Sequence, residues 1–198
     1  MSEQSTASID DPIAMLSRAL NQAGAVIAGV RPEQAAMPTP CPSWDVRTLV
    51  NHVVDEIRRF AEMTNTGKRG TSEGDVIGDN WMDAYRVAAD SLLAAWQQPG
   101  AMDRTHRMPG GEIPASWAVG QHITELVIHT WDIAKATGQP TDLDPQLGHL
   151  AFEWAVDNLR PECRGDETTG HHIGPEVTVR DDAPLYERLA TFSGRDLN

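Results

Sequence analysis

Glu125 and His129 stand four residues apart in the stretch 117–137, WAVGQHITELVIHTWDIAKAT, with His122 three residues before the glutamate and Asp132 three after the histidine. At 100° per residue, spacings of three, four and seven stack along an α-helix, so these four groups share one narrow stripe. Val119, Ile123, Leu126, Ile133 and Ala134 flank it on one side, and Trp117, Val127, Ile128 and Trp131 on the other. A helix that is apolar around most of its circumference belongs in an interior. Imidazoles and carboxylates placed there need a partner or a metal, because each unsatisfied ionised group costs several kcal/mol.

An E-x-x-x-H pair presents two donor groups on one helical face, where both can grip a single ion. With His52 arriving from another helix, Glu125 and His129 make a set of two imidazoles and one carboxylate. That set suits zinc, nickel or ferrous iron, and three protein ligands leave positions open for water or substrate, which is the catalytic rather than the structural pattern. Each residue also has a plainer reading. His52 lies one turn before Glu56 and can pair with it. His122 has the phase of a fourth ligand or a general base, or is a polar residue facing a cleft or solvent. Asp132 is placed to orient a ligating imidazole from behind, or to pair with Lys135. His106, between Arg104 and Arg107, is a small cationic island that meets an anionic substrate or is solvated loop charge. His171 and His172 point in opposite directions in an extended chain and read as loop. Cys41 sits in a proline-bound turn near a helix start, a place that lowers a thiol pKa or merely packs. The tryptophans at 81, 96, 117, 131 and 154 read as core.

Around this stripe the periodicity predicts five or six helices and almost no strand. A first helix starts at Asp10, Asp11 and Pro12 and runs to about residue 30, burying Ile13, Leu16, Leu20, Ala23, Ile27 and Val30. The segment MPTPCPSWD is a stiff, proline-rich crossing. It feeds a second helix capped by Ser43, with Asp45 in its first turn, that runs to about residue 64 and carries Val46, Leu49, Val50, Val53, Ile57 and Phe60 inward. A loop over 65–78 precedes a third helix at 79–98. Residues 101–114 read as a loop, Pro114 opens the key helix, and Gly138 caps it. Asp144 and Pro145 open a fifth helix that ends before Pro161. Residues 161–184 read as irregular with one short extended piece at 177–179, before a short helix at 185–192. The expected architecture is all-α: an up-and-down four-helix bundle at 10–160 with one or two extra C-terminal helices in an extension at 161–198, and a disordered stretch at 1–9.

The chain of 198 residues carries 16 Lys and Arg against 29 Asp and Glu, a net charge of -13 that repels nucleic acid and anionic membranes. No run approaches the roughly 20 apolar residues of a membrane helix, and MSEQSTASIDDP lacks the apolar core of a secretory signal. A cytoplasmic protein is expected. Two cysteines, Cys41 and Cys163, make no disulfide framework or zinc knuckle. No phosphate loop, G-x-S-x-G elbow or CxxC is present.

The segment CPSWDVRTLVNHVVDE resembles a C-P-x-W-x-V-R-x-L-V-x-H signature, ELVIHTWDIAKATGQP resembles E-L-V-x-H-x-W-D-L-A-x-A-T-G, and APLYERLATFSGRD resembles a closing A-x-x-x-x-R-L-x-x-x-x-G-R-D. These are the marks of DinB-like metal-binding bundles related to the N-terminal domain of mycothiol-dependent maleylpyruvate isomerase, in their short actinobacterial form, and the likeness covers about residues 12–196. The resemblance implies a four-helix DinB bundle holding a divalent metal, usually zinc, through His52, Glu125 and His129. It also implies thiol chemistry, with mycothiol as co-substrate and its sulfur presented as a thiolate nucleophile. The isomerase carries a further α/β domain that helps bind its dicarboxylate, and too few residues follow the bundle here to hold one. The expected function is therefore thiol S-transfer or thiol-assisted isomerisation of a small electrophile, with His122 or Asp132 orienting the nucleophile. Metal-dependent hydrolysis of a small amide or thioconjugate, and metal or ligand binding without turnover, are the alternatives. A homodimer is compatible with either.

Overall fold

The apolar periodicities become six α-helices in a computed structural model that describes residues 11–72, 74–108, 111–165 and 173–197. They are α1 (Pro12–Ala28), α2 (Val46–Thr66), α3 (Trp81–Trp96), α4 (Ala115–Thr137), α5 (Pro145–Asn158) and α6 (Leu185–Phe192). Helices α1, α4, α2 and α3 pack in a ring, each against its two neighbours, and α5 and α6 lean on α4 and on each other. α4 therefore touches four helices. This explains why apolar residues cover most of its circumference, and most of its residues from Ala115 to Thr137 are buried. The architecture is the all-α DinB-like bundle expected.

Helix ends follow capping chemistry with one correction. Asp11 accepts from the amides of Ile13 and Ala14, and Asp144 from those of Gln146 and Leu147, which ties the backbone donors left over at each N-terminus. For α2 the cap is Asp45, which accepts from Thr48 N at 2.7 Å, and not Ser43. The proline crossing before it is pinned by the amides of Val46 and Arg47, which donate to the carbonyls of Met37 and Ala35. Gly138 closes α4 in the left-handed region at φ 69°, as its position after the last periodic residue predicts.

The segment 101–114, read as loop, takes another form. Thr105–Met108 (β1) and Gly111–Pro114 (β2) pair as an antiparallel hairpin, with His106 opposite Ile113. Four-residue strands leave too few alternations for a period of two to register. Conversely, residues 177–179 form no ladder: Val177 N donates to Thr191 O, and the stretch runs on without strand pairing. Residues 1–9, read as disordered, lie outside the described residues. No described helix is long and apolar enough to cross a membrane.

The chain after α6 is brought back against the bundle by Gly194, whose φ of 87° is a conformation that side chains strain to adopt. A Cβ there would lie 2.5 Å from Gly174 Cα, a backbone atom that cannot swing aside. Gly100 has a similar φ of 73°, but a Cβ there meets nothing closer than 3.8 Å. Gly194→Ala is accordingly expected to lower the urea unfolding midpoint by more than Gly100→Ala. The difference should exceed about 1 kcal/mol, because only the former adds a backbone clash to the roughly 1–2 kcal/mol of left-handed strain. Equal losses would contradict this account of the C-terminal turn.

Candidate metal centre

α2 and α4 face each other across a small cavity of about 10 Å³, lined by His52, Val53 and Glu56 from α2 and by His122, Glu125, Leu126 and His129 from α4. The i, i+4 pair His52–Glu56 thus opposes the i, i+4 pair Glu125–His129, since residues one turn apart share a face. A volume of that size suits one water or ion. The rings of His52 and His129 meet edge to face, 5.0 Å between centroids at 84°. Trp44, from the crossing before α2, covers both, 4.5 Å from His52 and 6.0 Å from His129.

Polar atoms in this cavity are short of partners. Glu125 Oε1 accepts from Gln121 Nε2 at 3.3 Å, while its Oε2 is shut off from solvent with no hydrogen bond. Burial, reinforced by the Glu56 carboxylate, pushes the Glu125 carboxyl up to about 8. His122 is 1% exposed, stacks on Phe60 at 4.1 Å and 11°, and neither ring nitrogen has a partner. Its burial, with the Arg69 charge acting in the same direction, holds the imidazole down to about 3. Glu56 is compensated: Arg59 Nη1 donates to it at 2.5 Å and Arg69 Nη2 also donates to it. An orphaned carboxylate oxygen and imidazoles around a space of ionic size fit a divalent cation, which would ionise Glu125 and engage histidine nitrogens.

Behind His129 lies a second cluster. Nδ1 of His129 is 3.1 Å from Asp132 Oδ2, and Asp132, with no exposure, also accepts from Arg195 Nη2 at 3.0 Å and from the Cys41 thiol at 3.4 Å. Burial alone would raise the Asp132 carboxyl, but the Arg195 charge, together with the hydrogen bond and charge of His129, holds it at about 2. Among the described residues, the group whose donor atoms all lie within 4.8 Å of one another is Cys41, His129 and Asp132. That group shares His129 with the cavity.

The structure brings His52, His122, Glu125 and His129 to one cavity and sets Asp132 behind it. Of the two roles open to Asp132, it makes the imidazole contact, with Arg195 as its counter-charge. Glu56, read as a partner of His52, is held by two arginines. His106 is not solvated loop charge: it is fully buried on β1 with its ring edge-on to Trp96 at 5.7 Å, and burial lowers its pKa. His171 and His172 lie outside the described residues. Sequence reasoning missed Arg195 and undervalued Cys41 and Trp44. The signal was there, since all three lie inside the C-P-x-W and G-R-D motifs, but their periodicity carries no information about a contact 63 or 154 residues away.

The family described as the mycothiol maleylpyruvate isomerase N-terminal domain matches residues 16–134. An uncharacterized protein of Mycobacterium tuberculosis strain H37Rv is 32% identical over 188 residues, covering 93% of this chain and 98% of its own, and the counterpart in strain CDC 1551 matches equally. Among solved structures, the mycothiol-dependent maleylpyruvate isomerase superposes with a TM-score of 0.57 at 14% identity, over 76% of this chain and 70% of that one. A histidine-to-alanine mutant of that enzyme superposes with a TM-score of 0.54 at 13% identity, with the same coverage.

Two outcomes are expected from these environments. In the metal-free protein the unfolded chain protonates His122 near its ordinary value of 6.5 and the folded chain only near 3, so the unfolded state binds more protons between those values. Stability should therefore rise with pH across that window, by up to about 1.4 kcal/mol per pH unit from this group. In His122→Phe, which keeps an aromatic ring against Phe60, urea midpoints measured from pH 4 to 6.5 should lose that part of the slope; an unaltered slope would sink the assignment. Because Glu125 holds its proton up to about 8, zinc uptake at pH 7 should expel it. Calorimetry in buffers of different ionisation heat should find roughly one proton fewer released per zinc in Glu125→Gln.

Proposed function

The chain belongs to the mycothiol maleylpyruvate isomerase N-terminal domain family, and on that premise we propose that it is a metal-dependent, thiol-utilising enzyme that joins mycothiol to a small electrophile, by S-transfer or thiol-assisted isomerisation. The observation that carries this reading is the convergence of His52, Glu125 and His129 on one ion-sized cavity whose Glu125 Oε2 has no hydrogen-bond partner. We assign these three as ligands of a divalent metal, zinc first, with nickel or ferrous iron compatible with the same donors.

Bound there, such a metal supplies positive charge that favours thiolate over thiol and open positions for the sulfur. The chain's own residues set how strongly. Two neutral imidazoles and one carboxylate cancel only one unit of a divalent charge, which leaves the centre electrophilic. His122, kept neutral by burial, offers a hydrogen bond to a sulfur or substrate atom at the cavity wall but is too weak a base to store the thiol proton, which leaves to solvent as the thiolate forms; the sulfur–carbon bond then forms with departure of a leaving group such as halide, or with proton uptake at the carbon next to the carbonyl of an unsaturated ketone. Asp132 does not line the cavity, so its role is to hold His129, and it touches no substrate. Trp44 and Phe60 close the sides with apolar surface, which strengthens the electrostatics inside.

Protein purified without added metal is expected to carry close to one equivalent by elemental analysis. His52→Ala, Glu125→Ala and His129→Ala should each bring it near zero while helical content is retained. The metal-loaded protein should consume mycothiol in the presence of electrophiles such as unsaturated ketones and halogenated aromatics, at a rate that falls at least about a hundredfold in the ligand variants. Metal retained in His129→Ala removes the ligand assignment. Full metal loading with no thiol binding or consumption across the panel removes the thiol chemistry.

A further inference from the structure

We propose that Arg195 is a resident cation that closes the Cys41–His129–Asp132 cluster to metal, so that His129 serves the cavity between α2 and α4 through Nε2 alone. The inference rests on the reading of that cavity as a metal centre and adds a second, suppressed site beside it.

A thiol, an imidazole and a carboxylate, all buried and with donor atoms within 4.8 Å of one another, are a zinc-binding set in chemistry and spacing. A guanidinium already engages two of the three, Asp132 and Cys41. Arg195 Nε lies 3.3 Å from both carboxylate oxygens of Asp132, Nη2 lies 3.0 Å from Asp132 Oδ2 and 3.3 Å from Cys41 Sγ, and Nη1 donates to Ser193 O at 2.8 Å. With the side chain only 3% exposed, little solvent screens this charge. A divalent ion drawn to Asp132 and Cys41 would sit within a few ångströms of the guanidinium and meet its repulsion directly. The planar fork suits the task, because it engages both carboxylate oxygens and the sulfur at once, where an ammonium would act from one point.

The same contacts orient the neighbouring imidazole. Asp132, held by Arg195, receives Nδ1 of His129, and a carboxylate on one ring nitrogen fixes the tautomer in which the lone pair is on the other. His129 also lines the cavity, so Nε2 is the nitrogen left to serve it. The cluster and the cavity thus share one imidazole, and the C-terminal arginine decides which side of it takes the metal. The turn that delivers the guanidinium depends on Gly194 packed against Gly174, so the segment after α6 is an integral part of the site.

Removing the guanidinium should therefore create a site as well as weaken one. In Arg195→Gln the buried Asp132 charge has lost its counter-ion, and Cys41 can ligate, its thiol proton leaving to solvent. Cobalt(II) reports this directly, because cobalt–thiolate bonds give near-ultraviolet charge-transfer absorption that nitrogen and oxygen ligands lack. The wild type is expected to bind cobalt(II) without that absorption, and Arg195→Gln to show it. The double variant Arg195→Gln, Cys41→Ser should lose the absorption again. Arg195→Lys, which keeps the charge, should stay without it. Zinc affinity by chelator competition should fall about 10–100-fold in Asp132→Asn, the effect of losing a carboxylate behind a ligating histidine. A thiolate band in the wild type that Cys41→Ser abolishes would overturn the proposal without any arginine variant having to fold. So would the absence of the band in a folded, cobalt-loaded Arg195→Gln. A wild type that binds neither cobalt(II) nor zinc would instead remove the metal reading on which the inference stands.

Discussion

The structure depends on keeping charge inside a helix that is buried along most of its length. α4 is enclosed by α1, α2, α5 and α6, yet it carries His122, Glu125, His129 and Asp132 inward. In such surroundings an ionised group survives only with a countercharge, and an uncompensated one shifts its pKa and becomes neutral. Both solutions occur along the same helix. Asp132, met by Arg195, stays ionised far below neutral pH, whereas Glu125, about two turns earlier and beside the Glu56 carboxylate, is driven up to about 8. The helix is thus divided into a satisfied end and an unsatisfied end, and His129 joins them.

This division accounts for where the arginines go. In a chain with 29 acidic and 16 basic residues, guanidiniums reach the buried acids of the bundle: Arg59 and Arg69 turn onto Glu56, and Arg195 onto Asp132. None of these ion pairs needs to stabilise the fold on balance, because desolvation offsets much of the attraction. Their effect is selective. They neutralise the acids that flank the cavity and leave Glu125 as the one carboxylate in it whose charge a bound cation would have to support. Removing Arg195 would strand the buried Asp132 charge, at about 3–5 kcal/mol, whereas Glu56 keeps one arginine if the other is lost.

The segments outside the four main helices are what finish the site. The proline-rich crossing places Trp44 over the two imidazoles and Cys41 behind them, and the turn at Gly194 places Arg195. Irregular chain is well suited to this, since it meets a helix at angles another helix cannot, provided its own backbone is pinned. Here it is pinned, by the amides of Val46 and Arg47 at one end and by the Gly174–Gly194 contact at the other.

Much of this protein is local and therefore legible in the chain. The helix periods, the caps at Asp11 and Asp144, the left-handed stop at Gly138, and the E-x-x-x-H face of α4 depend on neighbours within a turn or two. His52, Glu125 and His129 fall on helix faces by arithmetic, and their joint exposure to one cavity follows once α2 and α4 are in contact. The tertiary structure alone decided the rest. It settled that His122 is an orphaned imidazole stacked on Phe60, that His106 is buried, that Glu56 belongs to two arginines, and above all that Arg195 stands between Cys41 and Asp132. Periodicity reports which side of a helix is apolar. It has no term for which charge, 63 residues along the chain, arrives to neutralise a carboxylate, because that depends on the path of loops and on a backbone contact between two glycines.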